Sequence, residues 1–157
     1  MMGKLNNNEI EDLLQHEIIG RIGCHADGVT YVVPISFAYD GKYIYGHTHE
    51  GMKIDMMRKN PKVCFQVDRL TNMANWKSVI TMGEFEEIFD PEIRKQAVQH
   101  LINRTLPLMS SETVKLTPEW PFKGGDPANV DGIVYRIKLN EKSGRYESNG
   151  FFAGYAS

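Results

Sequence analysis

Cysteine is scarce. The 157-residue chain has two, Cys24 and Cys64, each inside an apolar, strand-like pattern and neither with a spacing that marks a partner. A disulfide-stapled scaffold is excluded, and a reducing, cytoplasmic setting with two buried structural thiols is expected. An excess of one charge is missing too. Basic residues number 18 and acidic ones 20, the formal net charge is −2, and no run of lysine or arginine forms a strip, so nucleic acid is not an expected partner. Long apolar runs are absent: no uncharged stretch nears the ~18 residues of a membrane span, and Met1-Met2-Gly3-Lys4-Leu5-Asn6-Asn7-Asn8 has no signal core. A membrane partner is not expected either. There is no internal repeat, and no Ser-His-Asp or Cys-His arrangement has a spacing that defends a protein nucleophile.

What is present is an ordinary globular composition, 41% hydrophobic and 24% charged, enough for one domain over residues 1–157. Its most informative stretch runs from Tyr31 to Pro61. Tyr31 to Tyr39 and Tyr43 to His47 are rich in β-branched and aromatic residues, and Asp40-Gly41 between them is a hairpin signal, because glycine tolerates the positive φ of such turns. After His47 the alternation stops. Thr48-His49-Glu50-Gly51 leads into a helix from Met52 to Lys59, with Ile54, Met57 and Arg58 at helical spacing and Asn60-Pro61 as its end.

A strand that ends at a helix start makes an anion site. The first helical amides lack internal partners and carry the positive end of the dipole. Thr48 offers a hydroxyl, Gly51 lets the backbone come close, His47 and His49 offer ring donors and Lys53 brings a full charge within the first turn. A phosphate is the expected occupant; a solvated loop with a surface lysine accounts for the spacing equally well. A metal reading, with His47 and His49 on one face and His25 from a neighbouring strand, is weaker than the anion reading, because no cysteine or carboxylate cluster shares that spacing.

Elsewhere, Asn8 to His16 reads as a helix capped by Asn8, with Ile10, Leu13 and Leu14 as its buried stripe. Ile18 to His25 is a strand turned by Asp27-Gly28 into the next one, and Val63 to Asp68 is another, followed by a loop over 69–75. Trp76 to Phe89 is a long strand bent at Gly83, with Glu84, Glu86 and Glu87 facing water. Pro91 opens a helix to about Thr105 with Ile93, Ala97, Leu101 and Ile102 at core spacing. Residues 106–131, rich in proline and glycine, form a long irregular segment in which Trp120 or Phe122 could stack on a ring. Gly132 to Leu139 is a last strand, and the tail from Lys142 has no assignment.

The ordered set Val33-Pro34-Ile35-Ser36-Phe37, Asp40-Gly41, Tyr43-Ile44-Tyr45-Gly46-His47-Thr48-His49, Gly51-Met52-Lys53, Asn60-Pro61-Lys62-Val63 and Trp76 to Gly83 resembles the FMN-binding split barrels of the pyridoxamine 5′-phosphate oxidase-like superfamily. The nitroimidazole-resistance (Nim) type of flavin-nucleotide-binding protein looks nearest. The resemblance covers Leu13 to about Phe89 and, more loosely, Gly132 to Leu139. It implies a mainly β (α+β) fold, an antiparallel six-stranded split β-barrel with flanking helices, and FMN held across the strands at a homodimer interface.

Carried over by position, Lys53 matches the phosphate-binding cation, while His47 and Thr48 match strand-end positions that reach the phosphate or ribityl region. His49 and Gly51 belong to the same anion cradle. Ser78 matches a polar side chain facing the cofactor from the strand that begins at Trp76, and Val33, Pro34, Ile35 and Ser36 match the segment whose backbone runs beside the isoalloxazine. In the Nim-like branch, a histidine at the position of His47 lies near the flavin face. Met52 stands where founding oxidases have the first of a cationic pair, no arginine begins the Val32–Ser36 segment, and their C-terminal Trp and Arg motif has no match in 138–157. Pyridoxamine 5′-phosphate oxidase activity is therefore not expected. The implied function is an FMN oxidoreductase that uses reduced nicotinamide or a similar donor to reduce a small acceptor, as a nitroreductase does. The alternatives are a non-catalytic flavin carrier or sensor, or a split barrel that binds haem or a deazaflavin, in which His47 and His49 would serve as ligands or donors.

Overall fold

A computed structural model describes residues 1–105 and 130–149 of the chain. After a short strand β1 (Met2–Lys4) comes helix α1 (Asn7–His16), capped by Asn6 rather than by Asn8. Asn6 Oδ1 accepts from the Glu9 amide at 2.9 Å, and Glu9 Oε1 accepts from the Asn6 amide at 3.2 Å. The two bonds form a capping box, each residue satisfying a backbone donor of the other at the start of the helix. The stripe Ile10, Leu13 and Leu14 is buried as expected.

β2 (Ile19–Ala26) and β3 (Val29–Ser36) form the first hairpin, with Asp27 and Gly28 at φ 52° and 76° in its turn. The chain then departs from the expected continuous strand over 31–39. It breaks at Phe37, which is buried edge-on against Phe65 with ring centres 4.8 Å apart. β3 stays with β2, and only the two residues of β4 (Ala38–Tyr39) pair with β5 (Tyr43–Thr48) across the Asp40-Gly41 turn. Burying Phe37 takes the chain from one end of the sheet to the other.

Helix α2 (Met52–Lys59) follows and is pinned by Arg58, which donates to Glu87 at 2.8 Å and to Glu50 at 2.8 and 3.1 Å. Glu87 thus turns to α2, whereas Glu84 and Glu86 face water as expected. β6 (Lys62–Asn72) and β7 (Asn75–Glu87) run further than the sequence suggested: most of the expected loop is strand, and Asn72 Oδ1 closes the short turn by accepting from the Ala74 amide at 2.9 Å. At Gly83 the register slips, since Met82 pairs with Glu141 but Gly83 with Leu139, so Asn140 is bulged. Helix α3 (Pro91–Thr105) leads towards β8 (Ile133–Glu147), which takes in the first part of the unassigned tail. The remaining tail from Gly150 and the segment with Trp120 and Phe122 lie outside the described residues.

The sheet order is β3-β2-β6-β7-β8-β5-β4, antiparallel throughout, with β1 on β8. Eight strands replace the expected six, the additions being the short β1 and β4. One face buries Ile22, Phe65, Val67, Val79 and Ile137 under α1 and α2; a second cluster packs Ala97, Val98 and Leu101 of α3 on Tyr45 and Val134. Among the described residues no helix is long and apolar enough to cross a membrane.

Candidate functional site

β5 and α2 meet where the anion cradle was expected. Gly51 is the N-cap of α2, and among the described residues no side chain caps the first amides, which leaves them open to another acceptor. Glu50 beside them is drawn back onto Arg58. Lys53, in the first turn, is half-buried and pairs with no carboxylate among the described residues. Its ammonium lies 5.9 Å from the centre of the Tyr135 ring. Burial pushes the Lys53 pKa down, and the nearby Cys24 thiol offsets this in part. Burial also pushes the Cys24 thiol up. A half-buried cation without a counter-ion is a ready partner for an anion.

His47 and Thr48, expected to act together, alternate in β5 and so face opposite sides of it. His47 points to the α3 side, where its Nε2 donates to the Asp131 carbonyl at 2.5 Å and its ring meets His49 edge-on at 5.5 Å. Burial holds its pKa below the ordinary histidine range, although the Asp131 hydrogen bond opposes this. Arg94 of α3 supports the same corner by donating to the Val130 and Gly132 carbonyls at 2.7 and 3.1 Å. Gly132, at φ 96°, leaves room that a Cβ would take 2.8 Å from His47 Nε2. Thr48 faces the side of Gly46 and donates its hydroxyl to the His49 carbonyl at 3.2 Å. His25 is hydrogen-bonded to Thr30 across the first hairpin at 2.9 Å, and among the described residues no three metal-binding side chains come together.

β3 ends the sheet path, so one of its backbone edges pairs with β2 and the other has no strand beside it among the described residues. Pro34 is tolerated on such an edge because the missing N–H breaks no ladder. Of the four expected ring-side residues, Ile35 is buried in the core and Val33 half-buried, while Pro34 and Ser36 lie exposed on the outer face.

Ser78 and Trp76 stand apart from Lys53. Ser78 Oγ accepts from Gln66 at 3.1 Å, in a network where Arg21 reaches Gln66 and Asp68, each at 3.3 Å; Trp76 Nε1 donates to Glu147 at 3.0 Å. Ser78 pairs with Asp68, and Met82 with Cys64 at the α2 end of the sheet. These two rows are about 13 Å apart along β6 at ~3.3 Å per residue. Within one chain the candidates form two groups.

At the Cys64–Met82 end of the sheet the outer face carries a cleft of about 500 Å³ with Gly23, Val32, Cys64 and Met82 in its wall and His25 and Asn140 among its polar members. Cys64 is thus not a buried thiol: it lies half-exposed beside Gly23, whereas Cys24 is buried as expected. Tyr135, Arg94 and Gly132 had no local sequence signal, since their roles depend on partners from distant strands.

A family model described as pyridoxamine 5′-phosphate oxidase matches residues 6–146. The chain belongs to this family. Among its relatives, an uncharacterised protein of Rhizobium meliloti strain 1021 is 28% identical over 148 residues, which cover 90% of this chain and 92% of that protein. Among solved structures, an FAD-binding protein from Mesorhizobium loti is 28% identical and superposes with a TM-score of 0.71, covering 94% of this chain and 99% of that one. A candidate 5-nitroimidazole antibiotic resistance protein from Bacteroides thetaiotaomicron, 21% identical with a TM-score of 0.67 over 93% of this chain and 89% of that one, shares the fold. The family's split barrel is the architecture that the sequence resemblance implied.

Proposed function

We propose that this member of the family binds FMN and works as an oxidoreductase, taking electrons from reduced nicotinamide or a similar donor and passing them to a small electron-poor acceptor such as a nitro compound. Lys53 carries the reading: a half-buried ammonium without a carboxylate partner among the described residues, on a helix whose first amides have no side-chain cap. A dianionic phosphate satisfies both. The open edge of β3 along Val33–Ser36 offers amide donors and acceptors to the polar rim of an isoalloxazine, and the apolar cleft begins on the same strand at Val32. The flavin, when bound, supplies the hydride and electron chemistry, and the protein's part is to anchor, orient and shield it.

FMN is chosen over FAD because one phosphate accounts for Lys53 and Gly51; the Mesorhizobium loti relative, described as FAD-binding, makes FAD the alternative to test. Met52, neutral and half-exposed beside Lys53, gives no second cation, so the reading does not extend to pyridoxamine 5′-phosphate as substrate. His47 is assigned to the neighbourhood of the flavin without a proton-transfer role.

A homodimer belongs to the same proposal. Val32, Leu70, Ile80 and Met82 lie on the outer sheet face, 62%, 69%, 46% and 48% exposed, and a second copy packed there covers them while bringing its own Ser78 and Trp76 towards the Lys53 end. Apolar patches of this kind mark interfaces.

The deciding experiment is a visible absorption spectrum of the purified chain, repeated after incubation with FMN or FAD and desalting. Retained flavin bands, followed by NAD(P)H-driven reduction of a nitroaromatic faster than free flavin achieves, are expected. Retained flavin without such a rate reduces the protein to a carrier or sensor, a Soret band moves the reading to haem, and a colourless chain that keeps no flavin overturns it.

A further inference from the structure

Tyr135 is the residue that neither the fold nor the proposed cradle accounts for. It lies in β8 opposite Gly46 and has no exposed surface; its ring packs on Phe85 with centres 5.6 Å apart. Among the described residues its hydroxyl is the buried side-chain oxygen or nitrogen without a hydrogen-bond partner. Burial pushes the phenol pKa upward, so the group stays an O–H donor. Phenylalanine would fill the same space, and a buried hydroxyl with no acceptor is a cost that cores avoid. The acceptor must therefore come from outside the described residues.

Its place indicates which acceptor. The Lys53 ammonium lies 5.9 Å from the ring centre, at the outer limit of a cation–π contact. Gly46, with no side chain, lets the ring and hydroxyl cross over β5: a Cβ there would stand 2.4 Å from the Tyr135 oxygen. A charged donor and a neutral donor thus share one corner beneath the start of α2, and neither is given an acceptor by the described chain. Cys24 nearby does not serve as one, since its raised pKa keeps it a thiol, a weak acceptor at best.

We infer that Tyr135 is a phosphate ligand of this site: its hydroxyl donates to an oxygen of the same flavin phosphate that Lys53 neutralises. The inference rests on the proposed flavin reading and adds a residue to it. A phosphate oxygen has lone pairs enough for both donors, and the pair selects a compact tetrahedral anion over a neutral ribityl hydroxyl.

Tyr135→Phe in the full chain tests it, by titration with FMN and with riboflavin and by thermal melting of the flavin-free protein. The expected result is about tenfold weaker FMN binding, unchanged riboflavin binding, and a flavin-free melting temperature that is unchanged or higher because no bond is lost. With Lys53→Met added, the loss is less than the product of the two single losses, since both act on one phosphate. FMN affinity equal to wild type, or FMN and riboflavin weakened alike, overturns the inference and leaves the proposed function standing. A lowered flavin-free melting temperature with no change in FMN preference also overturns it, by showing a structural hydrogen bond through water. A wild-type chain that binds neither flavin overturns both.

Discussion

Gly46 and Tyr135 face each other in the β5–β8 ladder, and the tyrosine ring occupies the volume a side chain at Gly46 would need, since a Cβ there would lie 2.3 Å from the ring carbon Cζ. Gly46→Ala is therefore expected to destabilise the fold by about 2 kcal/mol through overpacking, read as a lower urea midpoint at constant slope. A neutral result would mean that the ring moves aside freely, which a side chain buried against Phe85 should not do.

Lys53→Met should weaken FMN by about ten- to a hundredfold, the scale of one hydrogen-bonded charge, and leave riboflavin nearly untouched. Burial lowers the Lys53 pKa, so in the free protein the cation is lost at a lower pH than an exposed lysine would lose it. FMN affinity should decline from that pH upward, and binding in this range should take up a proton, seen by calorimetry in buffers of different ionisation enthalpy. Equal weakening of FMN and riboflavin would remove Lys53 from the phosphate.

His47 has a folded-state pKa lowered from 6.5, so below pH 6.5 the unfolded chain binds the proton that the folded one resists. Stability from this group is fully present above the unfolded value and is lost as the pH falls from 6.5 towards the lowered folded value. Melting temperatures from pH 7.5 to 5 should decline less steeply in His47→Gln than in wild type; parallel slopes would count against a buried, neutral His47.

The outer face should carry the dimer. Met82→Asp places a charge among Val32, Cys64 and Ile80 without touching the inner core, so light scattering should show a dimer for wild type and a monomer for the variant, with flavin retention lost alongside. A monomeric wild type that still holds flavin would remove the second copy from the site.

Tyr39 offers an internal check on the second half of β8. Its hydroxyl donates to Glu11 at 2.6 Å, and Lys142 donates to Glu11 at 2.7 Å, tying β8 to α1. Burial, helped by Glu11, pushes its pKa from 10.0 up to about 12. The folded state then holds the proton more tightly, so this contribution is present below pH 10 and fades as the pH rises towards 12. Ultraviolet titration should show a phenol that ionises near 12, and in Tyr39→Phe that step should vanish while the ordinary tyrosines titrate unchanged, at a cost of about 1 kcal/mol in stability.

Local pattern was sufficient for most of the elements. Alternation marked β2, the core of β6 and β7, and the first half of β8; Asp27-Gly28 and Asp40-Gly41 marked two turns; Pro91 marked the start of α3. These features depend on neighbours within a few residues, so they survive without knowledge of the fold. The same holds for the junction of β5 with α2 and for Lys53 at its first turn. The ordered motifs also pointed to the family whose model matches residues 6–146.

Contacts between distant segments decided the rest. The burial of Phe37 against Phe65 split one expected strand into β3 and β4, and the return of the chain at Asp131 gave His47 its carbonyl partner. The register of β6 with β7 set Ser78 apart from Lys53, and the crossing of Tyr135 over Gly46 put a hydroxyl with no partner among the described residues on a ring 5.9 Å from that lysine. Each involves residues from separate segments, whose meeting depends on sheet order and on the space one side chain leaves for another. Periodicity and motif spacing along the chain carry no record of that, because they report the face a residue takes and not the partner it meets there.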